Sequence, residues 1–135
     1  MNMNELISYR LERAKETIDE AEQMAIMEHW NACVNRLYYA CFYATNALLL
    51  SKNYSSSKHA GVRSLLNRHF VKSQIIPKEL GKLYNVLFEY RQQTDYEDLF
   101  QVDKELVKPW ITLSKDFVYF IEKLITDDLS KKDER

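Results

Sequence analysis

Residues 30–50, WNACVNRLYYACFYATNALLL, hold the pattern that decides the fold. Trp30, Val34, Leu37, Cys41, Ala44 and Leu48 recur at alternating steps of four and three, the spacing of one helix face. Tyr38, Tyr39, Phe42, Tyr43 and Leu49 fill neighbouring positions, so the segment is apolar nearly all round and belongs at the centre of a helical bundle. Its most apolar run, Leu37 to Leu50, falls short of the roughly 18 residues a transmembrane helix needs and contains Thr45 and Asn46. No membrane span is expected.

Outward from this segment the same period continues. Upstream, Ile7, Leu11, Ala14, Ile18, Ala21 and Ala25 form an apolar stripe, with Glu12, Glu16, Asp19 and Glu20 on a charged outer face. Downstream, a polar break at Lys52–Ser57 offers Ser56 or Ser57 as N-cap of a third helix over about Lys58–Val71, with Val62, Leu65, Leu66 and Phe70 inward. Pro77 suits the first turn of a fourth helix that buries Leu80, Leu83, Tyr84, Leu87 and Phe88 and stops near Arg91. Gln92 to Gln101 lacks periodicity and reads as a loop. A last helix places Leu106, Trp110, Leu113, Phe117, Phe120 and Leu124 inward. Either Asp103 caps it and Pro109 kinks it, or it starts near Lys108.

Composition agrees. Only two Gly and two Pro in 135 residues cannot punctuate an all-β fold, which needs turn residues roughly every 8–12 positions. With 46% hydrophobic residues, disordered and collagen-like chains are excluded as well. The expected class is all-α, an up-and-down bundle of four to five helices in a single domain over residues 1–135, with a core of about 6–129 and a frayed charged tail at 130–135. Net charge is −1, yet residues 51–82 carry seven bases against Glu79, between acidic flanks. Cys33 and Cys41 lie about two turns apart on one helix, beyond disulfide reach, and are expected to be reduced and buried. The first nine residues lack a basic region followed by an apolar run, so no signal peptide is read and a cytoplasmic location is expected.

Conventional site chemistry is sparse. His29, His59 and His69 have no His partner four residues away, the cysteines form no C-x-x-C pair, and Gly61 and Gly81 stand alone. Neither a metal nor a cofactor is expected. Three features remain. Arg36, on an otherwise apolar helix, needs a paired charge or a snorkelling stem. Lys58, His59, Arg63, Arg68, His69 and Lys72 form either a phosphate-binding face or a solvated one. Arg91, followed by Asp95 and Tyr96, either offers a planar fork of donors to a phosphate or caps its helix and pairs with Asp95.

In combination, Asn35-Arg36-Leu37-Tyr38-Tyr39-Ala40, Ser57-Lys58-His59, Phe70-Val71-Lys72 and the Arg-x-x-x-Asp-Tyr at Arg91–Tyr96 resemble the small bacterial and archaeal HEPN-domain proteins, in the expected order and over roughly Leu6–Leu129. The resemblance implies a helical bundle that forms a homodimer. It also implies a minimal nucleotidyltransferase as partner, in a toxin–antitoxin pair or a two-component nucleotidyltransferase. Many members are metal-independent endoribonucleases that use an Arg followed four to six residues later by His. Arg91 matches that Arg, but Tyr96, Glu97 and Asp98 occupy the following positions and none is His.

The leading expectation is therefore a dimer that binds nucleotide or RNA, or docks on a nucleotidyltransferase, through Arg91–Tyr96 and the basic third helix. Arg36, Tyr39, Lys58, Arg63 and Arg68 are the expected binding residues. A second reading is a ribonuclease toxin with Arg91 stabilising the phosphorane, His59 or Tyr96 as acid or base, and Asp95 as orienter. Tyr96 is a poor base at neutral pH, since a free phenol titrates near 10. A third is an interaction module in which Arg36, Arg91 and Asp95 make structural ion pairs.

Overall fold

The computed structural model describes residues 2–96 and 99–133, with Tyr96, Lys132 and Asp133 as backbone only. The helices are α1 (Met3–Ile26), α2 (Trp30–Ser51), α3 (His59–Leu66), α4 (Lys78–Tyr96) and α5 (Lys104–Asp133), with one π-helical turn, Asn67–Val71, continuing α3. No strand occurs among the described residues, so the chain is an all-α bundle.

The helix at residues 30–51 is central: α2 packs on α1, α3, α4 and α5, and Val34, Leu37, Tyr38, Ala40, Cys41 and Ala44 lose all solvent contact. Cys33 and Cys41 are buried free thiols, and burial pushes them up to about 11 and about 12. Lys15–Glu122 and Lys115–Glu22 ion pairs tie α1 to α5.

Chain reversals are made without glycine. After α1, Glu28 adopts φ 57°, and His29 and Glu28 donate to the carbonyls of Met24 and Ala25 at 2.8 and 2.9 Å. After α2, Asn53 adopts φ 64°, and Tyr54 and Asn53 donate to Leu49 and Leu50 at 2.8 and 3.1 Å. Both are Schellman closures, in which a left-handed residue lets two amides satisfy the last free carbonyls. The two glycines instead sit inside helices. A Cβ on Gly81 would fall 2.7 Å from Val71 Cγ1, and one on Gly61 would overlap the Ser56 hydroxyl.

Several expected boundaries move. Residues 92–96 are helical, extending α4 beyond Arg91 into the segment read as a loop. Its polar residues lie on the solvent side, so burial periodicity disappears while the backbone ladder continues. Neither Ser56 nor Ser57 caps α3: Lys58 is the N-cap residue and makes no side-chain cap bond. Ser56 Oγ instead accepts from the Lys58 amide at 3.2 Å, where the loop folds over Gly61. At α5 the helix starts at Lys104 rather than near Lys108, with Asp103 Oδ1 accepting from the Glu105 amide at 2.9 Å and Pro109 inside the helix. The buried face of α5 carries Val107, Trp110, Ser114, Phe117, Val118, Ile121 and Ile125, while Leu106 is 43% exposed. Two adjacent apolar rows run along this helix, and packing against α1, α2 and α4 selects between them. The helix also runs on to Asp133, through most of the expected frayed tail.

Candidate functional site

Arg91 projects from α4 onto the aromatic middle of α2. Its side chain is only 9% exposed, and the guanidinium carbon lies 4.9 Å from the ring centre of Tyr38 and 5.9 Å from that of Tyr39. One turn along, Asp95 Oδ2 is 3.6 Å from Arg91 Nη1. That is a loose ion pair, and Nε of Arg91 is buried with no hydrogen-bond partner among the described residues. An Arg is always charged, so this cation is desolvated beside two aromatic faces with, among the described residues, a single carboxylate for compensation.

A polar relay leads from Asp95 across the surface. Asn35 Nδ2 donates to Asp95 Oδ1 at 3.3 Å. Asn35 Oδ1 accepts from Arg36 Nε and Nη2 at 3.0 and 2.7 Å. Arg36 Nη1 donates to Glu20 Oε1 at 3.3 Å, and Arg13 lies 3.8 Å from the other Glu20 oxygen. Arg36 also stacks at 5.3 Å over Tyr39. Beside the relay is a groove of about 450 Å³ whose walls include Glu20, Asn31, Asn35, Arg36, Thr94 and Asp95. Asn31 braces it, donating to the Phe100 carbonyl at 2.8 Å and accepting from the Val102 amide at 3.0 Å.

Tyr38 also meets His59, the first residue of α3. Its Nδ1 is 2.7 Å from the Tyr38 hydroxyl, and its ring stacks on Phe42 at 4.3 Å and 13°. Burial, then the positive charge of Arg91, lower the His59 pKa from its ordinary 6.5. Burial pushes the Tyr38 phenol up to about 12, so at neutral pH both partners are uncharged. Arg91, Tyr38 and His59 thus form one cluster from three helices.

The sequence-predicted residues divide between two places. Arg91, Asp95, Arg36, Tyr39 and His59 come together. The Tyr96 side chain lies outside the described residues, so the acid–base role expected for it rests on sequence alone. Arg63, on α3, lies 3.9 Å over the Phe88 ring and pairs with Glu89 at 2.9 Å. Lys58 and Arg68 are exposed and make no side-chain bond to the Arg91 cluster among the described residues. Asn35 and Tyr38 were legible only as parts of the Asn-Arg-x-Tyr-Tyr run, and no single-site role followed from that. Glu20 was placed on an outer charged face, but the α1–α2 pairing turns it toward Arg36. Among the described residues no three His, Cys, Asp or Glu side chains are grouped to hold a metal ion. No described helix is long and apolar enough to cross a membrane.

Comparisons with known proteins add to this geometry. The chain is 47% identical over 128 residues to a "UPF0332 protein" of Thermotoga maritima, covering 94% of this chain and 97% of that protein. It is 33% identical over 120 residues to "Putative toxin MJ0142" of Methanocaldococcus jannaschii, with 85% and 82% covered. Against "Putative toxin MJ0605" of the same organism the identity is 32% over 95 residues, with 70% and 71% covered. A family profile described as HEPN domain matches residues 7–124, a span that takes in the Arg36 relay, His59 and Arg91 alike. With α2, α3 and α4 whole and most of α1 and α5 inside that match, together with the α2 arginine-tyrosine run and the α4 arginine, the chain belongs to the HEPN-domain family.

Proposed function

We propose that this protein is a toxin-like HEPN member that binds the phosphate of a nucleotide or RNA at Arg91. The observation that carries the reading is the state of that side chain: among the described residues, a desolvated guanidinium with one carboxylate at 3.6 Å and an unpartnered Nε. A buried cation left this incompletely paired is a burden on the fold, and an anionic ligand relieves it through charge-assisted bonds. Asn35 and Asp95 position it, Arg36 supplies a second cation, and Tyr39 presents an aromatic face between the two. A homodimer and a minimal nucleotidyltransferase partner belong to the same reading, on the strength of the family and of relatives described as toxins. Binding of fluorescein-labelled RNA and of AMP to the full chain, in wild type and Arg91→Ala, tests it. At least a tenfold loss in the variant is expected, roughly the effect of one good charge-assisted contact; equal affinities would refute the ligand site. Gel filtration at the monomer mass would refute the dimer.

A second reading, metal-independent RNA cleavage, gains from one observation. His59 shares Tyr38 with Arg91 and has its pKa lowered, which keeps its imidazole uncharged at neutral pH. With the proton on Nδ1, bonded to the Tyr38 oxygen, Nε2 offers a lone pair to a ribose 2′-OH, while Arg91 neutralises the developing phosphorane charge. RNA cleavage in EDTA, lost in both His59→Gln and Arg91→Ala, supports it. Intact RNA across pH 5–9 refutes it.

A further inference from the structure

Among the described side chains, five of the nine cations on α1, α2 and α5 have carboxylate partners: Arg13 with Glu16, Lys15 with Glu122, Arg36 with Glu20, Lys108 with Glu105 and Lys115 with Glu22. The basic middle of the chain does not follow this. Of its seven bases only Lys52 and Arg63 lie in ion pairs among the described residues, with Asp128 and Glu89. The Arg63–Glu89 pair is on the surface, and its carboxylate is 61% exposed, so it holds Arg63 weakly.

Three of these cations, Arg63, Arg68 and Lys72, line a groove of about 780 Å³ between the π-helical turn and α4, walled also by Ser64, Asn67 and Asn85. A second groove, of about 560 Å³, shares Val71 and Lys72 with it and continues to Lys78. The π turn contributes to this shape. Its wide closure, Lys72 N–H to the Asn67 carbonyl at 2.9 Å, makes the turn longer than 3.6 residues, so side chains four apart drift less around the axis. Ser64, Arg68 and Lys72 therefore stay on one wall instead of winding away. Asn67 donates through Nδ2 to Asn85 Oδ1 at 3.1 Å. That leaves the side-chain Oδ1 of Asn67 and Nδ2 of Asn85 without a partner among the described residues, one acceptor and one donor inside a basic groove.

Arg63 links this groove to the Arg91 cluster. It lies over Phe88, Phe88 meets Tyr38 edge-on at 6.1 Å, and Tyr38 carries Arg91 on its face. The two cationic sites are thus linked through the buried rings of Phe88 and Tyr38.

We infer that the groove between the π turn and α4 is a second phosphate-binding subsite, which takes the backbone of a single-stranded polynucleotide whose reacting or recognised phosphate sits at Arg91. This rests on the reading of Arg91 as a phosphate site and narrows its ligand from nucleotide to strand. Cations alone fit any polyanion. The paired amides, with a free donor and a free acceptor, suit the edges of unstacked bases as well as phosphate oxygens.

The test measures binding to the full chain of a labelled twelve-nucleotide RNA, the same sequence as DNA, and AMP, for wild type and the double variant Arg68→Glu/Lys72→Glu. Both residues are exposed, and a thermal melt verifies that the variant is folded. The expected result is a loss of strand affinity of about tenfold or more, with a salt slope about 1.4 units shallower for two lost phosphates on a single strand. AMP affinity stays unchanged. Comparing RNA with DNA tells whether the strand's 2′-hydroxyls are read. Strand affinity unchanged in the double variant but lost in Arg91→Ala overturns the subsite and leaves the Arg91 site standing. Wild type that binds neither AMP nor strand overturns both. Displacement of the RNA by polyglutamate at equal charge concentration overturns the strand in favour of an acidic polypeptide.

Discussion

The hydroxyl of Tyr38 and Nδ1 of His59, 2.7 Å apart, join the middle of the central helix to the first residue of α3, beneath the guanidinium of Arg91. The stretch between them contains Ser57-Lys58-His59, so this bond positions a basic loop and a titratable ring with one contact.

His59 makes the fold sensitive to acid. Its folded pKa lies below the 6.5 of an exposed imidazole, so between these values the unfolded chain binds a proton that the folded chain does not. Stability is then complete above about 6.5 and falls as pH is lowered toward the folded pKa. Urea midpoints measured between pH 5 and 8 should fall on the acid side, and His59→Gln should flatten that slope. A variant slope equal to wild type would show that other groups carry the effect.

Arg91→Met separates function from structure. A buried, incompletely paired cation destabilises its surroundings, and an isosteric apolar chain is often neutral or stabilising by about 1–4 kcal/mol. We expect the variant to melt no lower than wild type while losing RNA and nucleotide binding. A melting temperature several degrees lower would favour a structural ion pair with Asp95.

Asn35→Ala should uncouple the two arginines. It removes the bonds to Asp95 and Arg36, a cost of about 0.5–1.5 kcal/mol for each ordinary hydrogen bond and less where exposed. A double-mutant cycle with Asp95→Ala should give a coupling energy above about 0.5 kcal/mol, the value expected of residues in one network. Additive losses would mean that the relay transmits nothing.

Gly81→Ala inverts a familiar expectation. Alanine gains about 1 kcal/mol over glycine in a helix interior, yet here the new methyl meets Val71 Cγ1 at 2.7 Å. Overpacking of this kind typically costs about 1–3 kcal/mol, so a net loss is expected in a denaturant titration. Pairing the change with Val71→Ala should restore stability, and a stabilised single variant would show that the contact is soft.

Glu28→Gly and Asn53→Gly run the other way. Both residues hold left-handed φ angles, which cost a side chain such as Glu about 1–2 kcal/mol and Asn less. Calorimetry should find Glu28→Gly stabilising, and more so than Asn53→Gly. The reverse order would indicate that the Glu28 side chain makes contacts worth more than the strain.

The helices were readable where burial writes a period into the sequence. The stripe from Ile7 to Ala21 is as expected because its inward positions are apolar and its outward ones are not, and residues 30–50 because a helix apolar nearly all round takes the centre of the bundle. Residues 92–96 were unreadable for the converse reason: a helix end reaching past its packing partners keeps the backbone ladder but carries no stripe. In α5 two apolar rows compete, and only the neighbouring helices decide between them. The site follows the same division. Arg91, Asp95 and His59 were nameable from spacing and resemblance, whereas Glu20 enters only because α1 and α2 pair side by side, a contact between residues 16 apart that no local pattern encodes.

Cys33 and Cys41 give the molecule an internal reporter. Both thiols are fully enclosed at the centre of α2 and held protonated at neutral pH, so a maleimide or disulfide reagent meets neither while the bundle is closed. Two modified cysteines per chain would count the molecules whose central helix has come away from its neighbours. The labelling rate, followed by mass spectrometry with and without RNA, would therefore read how strongly a ligand at the surface clamps the interior.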